Sequence, residues 1–238
     1  MHVAGISHTA AGPDVELIVV DTIVRDNGGS GITLFANVGT LVLDHVRSEH
    51  NGGDGLSFTP SVGSIGALAT ITDSVFTHND GDGIGADSVS GATITLVVER
   101  SVMSSNGHNG FRADAGMGSG VATVSRSALN DNGFNGISMA GSLHGAVAET
   151  VTHRNSGYGA LISNATSTNV SLSGNVLTGD LAGAIRVAGP GANAILSANT
   201  AIGQNTCDGG AGVSSFGNNA MSGMIPGASC GIFAFVLN

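Results

Sequence analysis

The stretch Asn-Gly-Gly-Asp-Gly at residues 51–55 is one copy of a pattern that recurs along most of the 238-residue chain. Asn27, Asn51, Asn79, Asn106, Asn132 and Asn155 are each followed four residues later by a glycine (Gly31, Gly55, Gly83, Gly110, Gly136, Gly159), and then by Ile32, Leu56, Ile84, Phe111, Ile137 and Ala160. The asparagines are 24, 28, 27, 26 and 23 residues apart. Weaker copies follow at Gly179, Gly183 and Ala184, and at Asp208 to Val213. A period in the mid-twenties is the mark of a solenoid, because one repeat cannot bury an apolar face alone and must stack on its neighbours.

A second set of columns keeps the same register. Val19, Val42, Ile71, Val98, Val124 and Val147 stand eight or nine residues before the asparagines, and Thr22, Ser74, Ser101, Ser127 and Thr150 stand five before them. Runs such as TLVLDHV, ATITDSVF and ITLVVERSV alternate with period two and are rich in β-branched residues, so they read as strands; no stretch has a helical period. Stacked repeats would pair each strand in parallel with its counterpart one coil on, about 4.8 Å away. The predicted fold is therefore all-β: a single-stranded parallel β-helix of about eight coils. It occupies 1–238 as one domain, with 1–14 a partial first coil, 15–215 regular coils and 216–238 a last coil or cap.

This architecture accounts for the opening motif. Asparagine suits a tight corner because it tolerates the left-handed conformation and its amide bonds locally. Asparagines stacked one coil apart would also bond to one another along the axis. The glycines would supply positive φ.

Charge narrows the partners. The chain has seven arginines, no lysine and seventeen acidic residues, for a net charge of −10. It has no basic stripe for nucleic acid, it would be repelled by an anionic membrane surface, and no apolar run reaches membrane-spanning length. The opening residues MHVAGISHTAAG lack the basic start and apolar centre of a secretory signal. Cys207 and Cys230, the only cysteines, lie about one coil apart; a disulfide tying the last two coils and a pair of buried thiols are both consistent with that spacing. Coil ends without a cap would invite further strand pairing, so a homo-oligomer is expected.

The pattern S/T-x-V-x-x-N-x-x-x-G-I over roughly residues 15–215 resembles the right-handed parallel β-helix repeats of the pectate-lyase-like superfamily. The resemblance, together with the general preference for right-handed parallel crossovers, implies a right-handed coil. It also implies where catalytic groups would stand: facing outward on the strand after each corner. One such column reads Thr33, Ser57, Gly85, Arg112, Ser138, Leu161, Arg186, and the next Phe35, Thr59, Asp87, Asp114, Ala140, Ser163, Ala188. Asp87 and Asp114 would be neighbours with Arg112 on the same face. Paired carboxylates hold Ca²⁺ or share a proton, and an arginine beside them would neutralise a uronate or take a proton. That is the outline of a polyuronate lyase site; without the resemblance, the same three residues form a solvated charge cluster. The chain departs from such enzymes in having no lysine, no Asp-Pro-His-Asp motif, one tyrosine (Tyr158), and coils too short for long cleft-building loops.

Other columns carry lesser candidates. His50 and His78 would stack one coil apart with Glu49 and His153 nearby, a donor set for a transition metal. Asp54 and Asp82, with Asp80 close, would bind Ca²⁺ weakly. A column read as Asp21, Asp44, Asp73, Arg100, Arg126, Glu149 would form the pairs Asp73–Arg100 and Arg126–Glu149. Rows of Thr-x-Thr occur only in fragments, such as Thr70-Ile71-Thr72 and Thr93-Ile94-Thr95, and no spacing supports a Ser-His-Asp triad. The expected function is a non-catalytic scaffold, extracellular or on a cell surface, whose polar face binds glycans or other chains; a polysaccharide lyase or related polyuronate-active enzyme is the alternative.

Overall fold

The computed structural model describes residues 5–10, 15–36, 39–60, 66–88, 91–163, 167–216, 218–222, 224–226 and 231–235. Among them the chain is all strand and turn, in three parallel sheets of ten, ten and nine strands. Each coil contributes one strand to each sheet in turn; the first is Ile6–Ala10, Val15–Val20 and Ile23–Arg25. Nine such coils are complete, and Met224–Pro226 and Gly231–Phe235 begin a tenth. The expected all-β parallel coil is what forms, and its pattern fades toward the C-terminal end, where Asp180 stands in place of the corner asparagine.

The interior is built from stacked columns. Ile32, Leu56, Ile84, Phe111, Ile137 and Ala160 follow one another in the first sheet, and Phe58 and Phe76 in the third coil and Phe111 in the fifth are fully buried. Each is a side chain whose burial contributes about 1.5 to 3 kcal/mol. In the second sheet the inner column is Val19, Leu43, Ile71, Val98, Val124, Val147. Leu43, not Val42, faces inward, so the column stands eight residues before the asparagine in every coil. The same one-residue slip corrects the charged column: its second member is His45, whose N–H bonds Thr72 O as Asp73 N–H bonds Glu99 O.

The asparagine ladder forms as expected. Asn106 Oδ1 accepts from the N–H and Nδ2 of Asn79, while its own Nδ2 donates to Phe76 O and Asn132 Oδ1, at 3.0–3.1 Å. The conformational reasons differ from those expected. The left-handed residue is the one before each asparagine: Asp26, His50, His78, Ser105, Asp131 and Arg154 have φ of 54–58°. The asparagine itself keeps negative φ, and its amide faces along the axis. The glycine four residues on is needed for space. A Cβ on Gly83 would lie 2.6 Å from Gly110 O and 2.8 Å from Asn106 Nδ2, and a Cβ on Gly55 would meet Gly83 O and Asn79 Nδ2 at 2.7 and 2.8 Å.

Cys207 is disulfide-bonded and buried; Cys230 lies outside the described residues.

Candidate functional site

The corner that follows the third sheet carries a second axial ladder, three residues after the first. Asp54 N–H donates to Ser30 Oγ, Asp82 N–H to Asp54 Oδ1, Asn109 N–H and Nδ2 to Asp82 Oδ1, and Asn135 N–H and Nδ2 to Asn109 Oδ1. Aspartate and asparagine interchange here because the rung needs only an acceptor oxygen facing the following coil. Asp82 is almost fully buried in doing so.

Arg112 lies across this ladder. Its Nε donates to Asp82 Oδ2 at 2.6 Å, and its two terminal nitrogens grip Asp87 in a fork, with Nη2 at 2.8 Å from Oδ2. It can reach back over one coil because its register partner is Gly85. A Cβ there would lie 2.9 Å from Asp54 Oδ2, 3.3 Å from Asp82 Oδ2 and 3.4 Å from Arg112 Nη2. The bonds to Asp87 and Asp82 hold the guanidinium in its charged form beyond its ordinary range. Burial pushes the Asp54 carboxyl up, while the hydrogen bond from Asp82 N–H and the charge of Arg112 hold it back in part.

A wall rises over this floor. Two residues after the ladder asparagine, the column reads Gly29, Gly53, Gly81, His108, Phe134, Gly157. The rings of His108 and Phe134 meet edge to face with centroids 5.4 Å apart, and Phe134 remains more than half exposed. Asp54, Asp82, His108, Asn109, Arg112 and Phe134 together line a groove of ≈ 390 Å³. The sequence carries this signal as a column of glycines broken by two rings, but spacing does not show that the rings stand over the carboxylates.

Of the residues expected to carry chemistry, Asp87 and Asp114 are register partners and Arg112 stands on the same face. The three do not share one centre. Asp87 is held by Arg112, whereas Asp114 Oδ1 accepts from Gly116 N–H at 2.8 Å. His50 and His78 stack, with centroids 5.0 Å apart and planes 9° from parallel. His153 is four coils away from His50 and three from His78, in the same column as Glu49. Glu49 pairs with Arg47 at 2.5 Å. Asp73 pairs with Arg100 as expected, but Arg126 reaches back to Glu99 rather than forward to Glu149. Among the described residues, the one group of three His, Cys, Asp or Glu side chains with donor atoms within 4.8 Å of one another is Asp44, His45 and Asp73. Its members are already bonded to Thr72, to each other and to Arg100.

A second groove, of ≈ 380 Å³, lies on the outer face of the second sheet in coils 6–9. His144, Asn169, Asn193 and Gly212 form one outward row, and Ala146, Ser171, Ile195 and Ser214 the next. Gly145 stands at an inward position, where a Cβ would come 2.6 Å from Met139 Sδ. No aspartate, glutamate, lysine or arginine lines this groove.

The stacked coils, the axial amide ladder and the outward-facing grooves define a parallel β-helix. A family model described as the right-handed beta helix region matches residues 61–223, and the chain belongs to that family. No curated protein and no solved structure matches it. No helix among the described residues is long and apolar enough to cross a membrane.

Proposed function

We propose that the protein is a non-catalytic β-helical module, extracellular or on a cell surface, that lays an uncharged polysaccharide chain along the outer face of its second sheet. The observation that carries this reading is the groove over coils 6–9, lined by side-chain amides, hydroxyls and an imidazole with no formally charged residue. Such groups both donate and accept hydrogen bonds, and they recur once per coil. The exposed side chain of Ile195 offers an apolar surface beside them. A peptide would fit this face poorly, because sheet backbone groups pair within the sheet and strand addition needs an edge. The net charge of −10 works against a polyanion.

The lyase alternative is favoured by one observation, the stacking of Asp87, Asp114 and Arg112 on one face. Its arginine is a poor base: the guanidinium is spent on Asp87 and Asp82, and those bonds hold its proton more firmly. Calcium at Asp87 and Asp114 would have to displace Arg112 from Asp87.

The test is affinity electrophoresis in gels containing uncharged β-glucan, xylan or polygalacturonate. Retardation by an uncharged polymer, weakened at least about tenfold by Asn193→Asp with Ser171→Asp, is the expected outcome. Both substitutions face outward, so an unchanged melting temperature checks the fold. Retardation by polygalacturonate alone, or release of unsaturated product from it that Arg112→Ala abolishes, would overturn the proposal in favour of the lyase.

A further inference from the structure

The corner groove over coils 3–5 differs in charge from the face groove and calls for a different ligand. Asp54, Asp82 and Asp87 surround Arg112, whose ion pairs go to Asp82 and Asp87 alone. The carboxylate of Asp54 is without an ion pair among the described residues, and it sits in a groove whose charge is negative. Its Oδ2 points to the space over Gly85, which the missing Cβ leaves open. A bare metal ion is a poor match, since the donor atoms here do not gather within 4.8 Å as a three-ligand set. The groove is also far larger than an ion, and an aromatic wall gives a metal nothing.

We propose that this groove binds the protonated amine of a deacetylated amino-sugar unit, with Asp54 as the counter-charge, Asn109 beside the ring hydroxyls, and Phe134 and His108 against the sugar's carbon face. A carboxylate that meets an ammonium forms a charge-assisted bond about twice as strong as a neutral one. The wall and the floor thus select two features of one ligand, a ring and a positive charge. The inference is independent of the face groove, which lies on another sheet.

Titration of the ¹⁵N-labelled protein with glucosamine oligomers, followed by NMR, tests it. Shifts are expected at Gly85, Asn109 and Phe134. Affinity should fall at least about tenfold for the fully N-acetylated oligomer and for Asp54→Asn. That variant keeps the Oδ1 acceptor for Asp82 N–H, so the ladder stays intact, which its melting temperature checks. Phe134→Ala should weaken binding severalfold, and Asn193→Asp should leave it unchanged. Equal binding of the acetylated oligomer, no effect of Asp54→Asn, or shifts confined to the second-sheet face would overturn the proposal. Spermidine binding as tightly as the sugar oligomer would also overturn it, because the ring wall would then contribute nothing.

Discussion

Two corners of the solenoid solve the same problem with different residues, and they exchange roles partway along the axis. At the corner after the third sheet, Asn27 to Asn155 make the rungs. At the corner after the second sheet, Ser74, Ser101, Ser127 and Thr150 do so first, each accepting one backbone N–H from the preceding coil. Then Asn175, Asn199 and Asn219 take over that corner. A serine rung links two coils; an asparagine rung adds an amide-to-amide bond and a bond to an earlier carbonyl, as Asn199 does to Asn219 and Leu172 O. The exchange falls in coil 7, at Asp180. Its Oδ1 accepts from the N–H and Nδ2 of Asn155, and its Oδ2 from Thr152 Oγ1. Every amide in that ladder points its N–H₂ toward the next coil, so Asp180 terminates the positive end of an aligned chain of dipoles. That placement lowers the cost of an anion, although burial still pushes its carboxyl above the ordinary range.

The comparison can be broken most directly at an asparagine rung. Asn106→Ala removes the partner of Asn79 N–H, one of the two acceptors of Asn79 Nδ2 and a donor to Phe76 O, all in the interior, and should cost about 4 kcal/mol in denaturant unfolding. Asn199→Ala should cost nearly as much if the two corners are equivalent. Gly110→Ala comes next. Its Cβ would stand 2.9 Å from both Asn132 Nδ2 and Gly136 O, so forcing coils apart should cost about 3 kcal/mol. Ser101→Ala removes the single acceptor for Ser74 N–H and should cost about 1 to 2 kcal/mol; an effect as large as that of Asn106→Ala would erase the distinction between the corners.

The smallest expected effect has the opposite sign. The folded-state value of Asp180 lies above its unfolded one of 3.8, so its contribution is full below that pH and is lost as pH rises through the folded value. Asp180→Asn should therefore raise the melting temperature at pH 7, and the gain should shrink as the pH falls toward 4. A lower melting temperature at neutral pH would mean that the charge at the ladder's end outweighs its burial.

Charge separates the same two regions. Only Asp180, Arg186 and Asp208 among the 24 charged residues follow Asn155. The groove with an aspartate floor lies in coils 3–5, and the uncharged groove lies in coils 6–9. The shared register of Asp87 and Asp114, with Arg112 two residues before Asp114, was legible from spacing, and its outward face was what the family resemblance implied. Their partition was not legible, because it depends on which way a long arginine leans. Gly85 decides that by leaving room toward Asp82, and a glycine in a sequence column does not announce which neighbour will fill its space. The slips at Val42 and Asp44 have another origin: Val42 and Leu43 are both apolar, and the backbone ladder is what puts Leu43 in the inner column and His45 at the corner.

The sequence by itself determined the stacking, the parallel β architecture, the asparagine ladder and most outward rows, because a repeat that must bury its face against its own copies writes that requirement into every copy. The tertiary structure decided which residue takes the left-handed turn, why the glycines are glycines, which ions pair, and that two rings and two carboxylates meet in one groove. Those outcomes turn on side-chain reach and on clearances of a few tenths of an ångström between neighbouring coils, which spacing along a chain does not encode.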